Sequence, residues 1–398
     1  MIINESKKSL LSHILRSSRS TCIINGTSDL EEIFRVKDFP VYIGTTDKER
    51  SEDLENDLIF EISRSSGMIQ IKELMPLEIV YGKYHCEAIG PTWKRHHEEF
   101  VNFLRKFPIR RIIEIGGSNA YMAKAYLQAA QDSHWCIIEP TPLDKNVAID
   151  RLKIIEGFFC RESIDECWGC DPDVVVHSHA FEHMYDPEDF VKLISQNLNI
   201  GDYHVFAVPY LKKYFENRYS NVLNFEHTFY LSEQFIEYLL DKYGFEIIEK
   251  KYFEEHSIFY STIKKKTESS NMLCKNYYEE NKSMLLDYER YFNALIAILN
   301  EKLIDREFYL FGAHVFSQFL IKKGLISDKI INILDNSVIK NGQRLYGTDI
   351  TCLLPQVIED KEDPIVVVFA GGYQKEIEEQ LRSINPDVTI INPENYSQ

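Results

Sequence analysis

Basic residues are in short supply in this chain of 398 residues: 45 lysines and arginines stand against 62 aspartates and glutamates, a formal net charge of −17. So acidic a chain repels phosphate backbones, which excludes a nonspecific nucleic-acid binder. No apolar run reaches the ~18 residues that a membrane helix needs, so no span is expected. The opening segment MIINESKKSLLSHILRSSRS lacks the apolar core and cleavage site of a secretory signal. Cysteines are few and scattered, at positions 22, 86, 136, 160, 167, 170, 274 and 352. Without an export signal they read as thiols of a reducing cytoplasm. Internal repeats and low-complexity tracts are absent. What remains is a core-forming composition: hydrophobic residues make up 44% and aromatic residues 13%, which argues against a disordered chain. At about 100–200 residues per domain, two to four domains are expected.

Short apolar stretches at 39–43 and 58–62 read as strands of a small first domain. The first amphipathic helix is Trp93–Leu104, with Phe100, Phe103 and Leu104 on one face. Strands and helices then alternate. Strands are expected at 111–115, 135–139, 173–177, 204–208, 245–251 and 257–263, with helices at 121–130, 187–198 and 232–243. That alternation predicts an α/β fold with a mostly parallel sheet. A long helix is expected within 267–305, where Leu285, Tyr288, Phe292, Leu295, Leu299 and Leu303 recur at helical spacing. This stripe reads as helix packing or a dimer face. A smaller α/β unit follows, with strands at 308–312, 330–335, 365–369 and 388–391 and a helix at 374–384. The expected division is therefore 1–90, 91–266, the linking helix 267–305, and 306–398.

The strongest local pattern is Ile112-Ile113-Glu114-Ile115-Gly116-Gly117-Ser118-Asn119-Ala120. A buried strand ends in an acid, and a glycine turn feeds a helix. Glycine lets backbone approach a ligand closely, and the carboxyl edge of such a sheet is where nucleotides bind. A GxGxxG pattern is missing, because position 120 is Ala, which disfavours a dinucleotide. Glu139 ends the next strand, where a carboxylate can accept both ribose hydroxyls. Phe158 and Phe159 after Gly157 provide an apolar pair to flank a base. The run from Val176 through His177, His179 and His183 to Pro187 takes a strand into a histidine-rich turn. These four pieces in this order resemble the class I S-adenosylmethionine-dependent methyltransferases. The resemblance implies a Rossmann-like sheet holding that cofactor with Glu114, Gly116, Gly117, Asn119, Glu139, Phe158, Phe159 and His179.

Phe181-Glu182-His183 and Phe225-Glu226-His227-Thr228-Phe229-Tyr230, together with the flanking units, resemble the deoxysugar C-methyltransferases. That family carries a zinc ribbon at its N-terminus, with two C-x-x-C-G knuckles. Here Cys22-Ile23-Ile24-Asn25-Gly26 and Ser63-Arg64-Ser65-Ser66-Gly67 occupy those places, with one thiolate left of four. Neutral serine and asparagine are poor zinc ligands, so a ribbon-like domain without zinc is expected. The family's C-terminal domain is a small Rossmann-like unit on the substrate side of the cleft, and residues 306–398 resemble it. The implied substrate is a nucleotide-linked 4-keto sugar, methylated on carbon 3.

Such chemistry needs a carbanion. The carbonyl acidifies the neighbouring carbon, a base takes the proton, and a hydrogen-bond donor steadies the enolate oxygen. A base titrating near neutral pH is expected, which favours histidine. The resemblance implies His227 as that base and Glu226 as its partner, with His183 and Tyr84 toward the enolate oxygen. The family's Tyr-His before this Glu-His is replaced here by Asn224-Phe225. Two rival readings stand beside this one: O-methylation of a sugar hydroxyl, and a catalytically silent binding relative. His227 also has a structural reading near the Ser232 helix. His177, His179 and His183 lack a completing carboxylate, so no metal is expected; Cys167-Trp168-Gly169-Cys170 reads as a loop. The expected partner is a sugar nucleotide, with neither nucleic acid nor membrane, and the chain a cytoplasmic monomer or homodimer.

Overall fold

A computed structural model describes residues 17–81, 90–143, 147–168, 171–265, 273 and 275–392. The first unit is an antiparallel sheet of β1 (Leu30–Pro40), β2 (Glu55–Ser63) and β3 (Ile69–Ile71), in that order. In β1 the buried Phe34 and Val36 flank Arg35, the alternation of a strand with one face in the core, while the middle strand β2 is buried on both faces from Leu58 to Ser63. Beside it, the turns Cys22–Gly26 and Ser63–Gly67 are each closed by a glycine N–H donating to the carbonyl four residues back, at 2.8 Å in both. They face each other. Cys22 Sγ lies 3.3 Å from Ser66 Oγ, and Asn25 Nδ2 donates to Ser65 Oγ at 2.9 Å. Asp29 gathers this corner, accepting from Ser63 Oγ, Thr27 Oγ1 and the Ser65 N–H.

The central unit starts with α1 (Pro91–Leu104), whose first residue is a proline with no N–H to leave unpaired. Then come β4 (Arg111–Ile115), α2 (Tyr121–Ala129), β5 (His134–Glu139), β6 (Leu152–Glu156), α3 (Arg161–Trp168), β7 (Val174–Ser178), α4 (Pro187–Gln196), β8 (Tyr203–Pro209), α5 (Glu233–Lys242), β9 (Phe245–Phe253) and β10 (Ser257–Lys264). The sheet order is β9-β10-β8-β7-β4-β5-β6. Strands β8 to β6 run parallel, while β10 is antiparallel to both its neighbours. The order reverses between β4 and β7, and the crevice at such a switch point is where α/β sheets bind ligands. The α/β fold with a mostly parallel sheet is therefore as expected. Strand β6 and helix α3 were not expected, because their short apolar runs carry weak periodicity. Cys136 in β5 is joined by a disulfide to Cys167 in α3, which corrects the reading of every cysteine as a free thiol. Cys167 thus pairs across the fold, not with the nearby Cys170, which lies outside the described residues.

Helix α6 (Tyr278–Leu303) begins eleven residues later than expected from 267. Its apolar stripe is core, not a dimer face: Tyr288 packs on Phe34 of β1 and on Phe215, and Phe292 packs on Phe319. The last unit holds β11 (Phe308–Phe311), α7 (Val315–Lys322), β12 (Ile330–Leu334), β13 (Cys352–Leu353), β14 (Ile365–Val368), α8 (Gln374–Ile384) and β15 (Thr389–Ile391). Its sheet is wholly parallel, in the order β13-β12-β11-β14-β15, with its own reversal between β11 and β14. Helix α7 escaped the sequence reading because its apolar residues continue around the cylinder.

First and last units are clasped together. Thr45–Thr46 pairs with Arg344–Leu345 as a short antiparallel ladder. The Arg344 guanidinium donates two bonds of 2.6 Å to the fully buried Asp53 carboxylate, which also accepts from the Gly347 N–H at 2.7 Å. A bidentate, hydrogen-bonded pair is the geometry in which a buried ion pair offsets its own desolvation. This clasp closes one wall of the cleft.

Candidate functional site

The carboxyl edges of both parallel sheets open on a single cavity of about 940 Å³. The central sheet contributes the turn after β4, the end of β5 and the turn after β7. The last unit contributes Gly312, His314, Asp335 and Gly371, and the first contributes Ile43, Thr45, Leu77 and Tyr81. Sequence-distant pieces therefore meet at one place because two switch points face each other.

On the central side, Gly116 has φ +77°, a conformation glycine adopts without strain. Gly117 is glycine for packing: a Cβ there would stand 2.6 Å from Ile137 Cγ2 and 3.1 Å from the Glu114 carboxyl carbon. The Glu114 carboxyl is buried and accepts from Trp135 Nε1 at 2.7 Å. Burial raises its pKa to about 8, against the pull of that hydrogen bond. Glu139 ends the neighbouring strand β5 at this edge. One of its oxygens accepts from the Ser118 N–H at 3.0 Å and the other from the Thr141 N–H at 2.9 Å. The second oxygen also takes the Thr141 hydroxyl at 3.4 Å, while the first retains a lone pair for a ligand hydroxyl. Asn119 accepts from the Tyr121 N–H at the start of α2. Phe158 and Phe159 both line the cavity, Phe158 being 40% exposed while Phe159 packs edge-on against Phe190.

A second cluster, of Glu182, His183, Glu226 and His227, lines the same cavity. His227 Nδ1 lies 3.0 Å from the Val222 carbonyl. A carbonyl only accepts, so Nδ1 carries the proton and Nε2 presents its lone pair. This bond goes to a loop carbonyl, not to the Ser232 helix. Burial lowers the His227 pKa to about 4, so the ring is neutral at pH 7, which corrects the expectation of a base titrating near neutrality. His183 stands edge-on to it at 5.2 Å between ring centroids, and edge-on to Tyr81 at 6.1 Å. Glu182, fully buried, holds a carboxylate oxygen 3.6 Å from His179 Nδ1 and 3.7 Å from His183 Nε2. Burial pushes its pKa up to about 8. Glu226 lines the same wall. Tyr84 lies outside the described residues; its neighbour Tyr81 lines the cavity.

Sequence reasoning missed Asn224. Its Oδ1 accepts from the N–H groups of Glu226 at 2.7 Å and of His227 at 2.9 Å. The residue that replaces the resembled family's tyrosine thus fixes the backbone under the Glu-His pair. Phe225 turns away and packs against Phe39 of β1 at 6.1 Å. Arg19 supports the same loop from below, donating to the Thr228 and Tyr185 carbonyls at 2.6 Å each. Glu182 was legible only as a neighbour of His183. Trp93, His96 and His256 carried no motif; they surround His179, with Trp93 4.8 Å from it and 4.7 Å from His256 between centroids.

Residues 91–250 match the family model described as a methyltransferase domain. The central unit is a methyltransferase domain. Its fold is the class I Rossmann-like one, and its activity is methyl transfer from S-adenosylmethionine. The residues present fit that cofactor: a glycine turn at the switch point, an acid with a lone pair to spare at the end of β5, and an open cavity before both. Solved structures similar to this domain include the N-methyltransferase NodS from Bradyrhizobium japonicum WM9, at 13% identity over 44% of this chain and 98% of that one, with a TM-score of 0.33. Another is the magnesium protoporphyrin IX methyltransferase from Synechocystis PCC 6803, at 10% identity over 46% and 90%, with a TM-score of 0.34. No curated protein matches the chain. No helix among the described residues is long and apolar enough to cross a membrane.

Proposed function

We propose that the methyltransferase domain acts on a nucleotide-linked 4-keto sugar and methylates its carbon 3, with His227 as base. The observation that carries this reading is the tautomer of His227: Nδ1–H is committed to Val222, leaving Nε2 as a buried lone pair beside Glu182 and His183. Bound S-adenosylmethionine supplies an electrophilic methyl group; Gly116, Gly117, Asn119, Phe158, Phe159, Glu139 and His179 are the residues that would hold it.

The remaining work falls to the chain. His227 takes the proton from the carbon next to the keto group, and the Val222 carbonyl favours the imidazolium that results, with Glu226 as the proposed partner of the pair. An enolate oxygen needs a donor that is not itself charged away. Burial raises the Glu182 pKa to about 8, so its carboxylic O–H and the His183 ring, both lining the cavity, are the donors we assign to that oxygen; Tyr84 belongs to the same proposed set. The wall from Gly312 to Gly371 gives room for the nucleotide portion and excludes water from the carbanion.

The test is incubation with the methyl donor and a dTDP- or GDP-linked 4-keto sugar in deuterated water. Deuterium entering at carbon 3, with methyl transfer to that carbon, is the expected result. Methyl transfer to oxygen without exchange would replace this reading by O-methylation. His227→Gln should abolish both exchange and transfer while the donor still binds by calorimetry.

A further inference from the structure

Beside the Glu-His pair lies a second cluster of side chains, which shares only His179 with the residues proposed to hold the cofactor. It consists of His96 in α1, His179 after β7, and His256 in the hairpin between β9 and β10. Three nitrogens from these rings converge on one atom. Ser257 Oγ lies 3.2 Å from His96 Nδ1, 2.8 Å from His179 Nε2 and 2.6 Å from His256 Nδ1. The three ligand-bearing nitrogens lie within 4.8 Å of one another.

The outer nitrogen of each ring also has a polar neighbour. His96 Nε2 is 2.9 Å from Ser178 Oγ, His179 Nδ1 is 3.6 Å from a Glu182 oxygen, and His256 Nε2 is 3.5 Å from the Tyr373 hydroxyl. Metal-bound imidazoles have the far nitrogen hydrogen-bonded to a carboxylate, carbonyl or hydroxyl, which sets the tautomer and aims the near one; His96 and His256 have such a hydroxyl partner, and Glu182 stands next to the far nitrogen of His179. With protons on the outer nitrogens, three inner lone pairs point at a single hydroxyl that has one proton to give. A cation answers all three. Trp93 packs edge-on against His96, His179 and His256, and Phe253 and Phe259 pack edge-on against His96, so the rings have little room to turn elsewhere.

We propose that His96, His179 and His256 form a binding site for a borderline divalent transition metal of the zinc or cobalt type, with the Ser257 hydroxyl or a solvent oxygen as fourth ligand. Three imidazoles and one oxygen suit these ions and disfavour magnesium or calcium, which prefer oxygen alone. A tetrahedral site has metal–nitrogen bonds of about 2.0–2.1 Å, which sets the nitrogens roughly 3.3 Å apart, so the rings close inward on the ion. The site joins α1, the turn after β7 and the β9–β10 hairpin of the methyltransferase domain, and through Tyr373 it reaches the last unit. It therefore braces the mouth of the cleft. It stands independently of the sugar reading.

The experiment treats the full chain with a chelator, removes the chelator, and titrates cobalt(II) while recording visible absorption. One equivalent should bind, with the intense bands of four-coordinate cobalt, and zinc should displace it. His96→Gln and His256→Gln should each weaken binding at least 100-fold, and Tyr373→Phe, which touches no ion, about tenfold. His227→Gln, in the neighbouring cluster, should leave stoichiometry and spectrum unchanged. Circular dichroism of each apo variant checks its fold. Less than a tenth of an equivalent bound to the folded wild type would overturn the site. So would full binding to folded His96→Gln and His256→Gln, or loss of binding in His227→Gln alone.

Discussion

Asn224→Ala is the sharpest test of how the Glu-His loop is held. The substitution removes the one side-chain oxygen that accepts from the Glu226 and His227 N–H groups, at 2.7 and 2.9 Å. Asn224 is buried, at 3% exposure, so water reaches the freed amides poorly. A buried N–H left without a partner costs ~1–3 kcal/mol. Two such amides give at least ~2 kcal/mol at the lower bound, and the loop relieves this by moving. At ~1.4 kcal/mol per decade, a loss of ~2 kcal/mol from the aligned state of His227 is about 30-fold in kcat. The residues proposed to bind the donor lie on other segments, so donor affinity should stay within about threefold. Asn224→Asp retains the accepting oxygen and should recover most of the rate. The assay is transfer of labelled methyl to the 4-keto sugar nucleotide at saturating concentrations, with donor affinity by calorimetry. A wild-type kcat in Asn224→Ala, or a loss of donor affinity that tracks the loss of rate, would refute the argument.

Glu139→Ala should raise the dissociation constant for S-adenosylmethionine at least tenfold in calorimetry, because no other carboxylate ends β5; unchanged affinity would remove Glu139 from the cofactor site. Gly117→Ala drives a methyl group against Ile137 and Glu114 and should cost ~1–3 kcal/mol by overpacking, read as a lower denaturation midpoint. Acid should destabilise the protein between pH 6.5 and about 4. His204, His227 and His314 have folded pKa values lowered by burial to about 3, 4 and 4, so the unfolded chain binds more protons in that window and stability falls as pH falls; a flat melting temperature there would contradict this. Glu114 has the opposite sign. Its pKa is raised to about 8, so its contribution falls as pH rises from about 4.5, and Glu114→Gln should gain on the wild type in melting temperature over that range.

The alternation of apolar strands and amphipathic helices from Arg111 to Lys264 determined the class of the fold by itself, because strand and helix burial impose different periods on a sequence. The acid at 139 and the glycines at 116 and 117 were legible for the same local reason: backbone turns and strand ends constrain residue type on the spot. Strand β6 and helices α3 and α7 were not legible, since short or all-round apolar runs carry no period. Nor was the thiol chemistry of Cys136, which depended on α3 coming to rest over β5. Composition could not say that Asn224 holds the backbone of its neighbours, or that Glu182 keeps its proton, because both follow from burial. His96, His179 and His256 are separated by 83 and 77 positions, and no spacing rule connects them. Only the packing of a helix, a strand end and a hairpin around one serine brought their nitrogens together, since a side chain's chemistry depends on neighbours that the chain order does not contain.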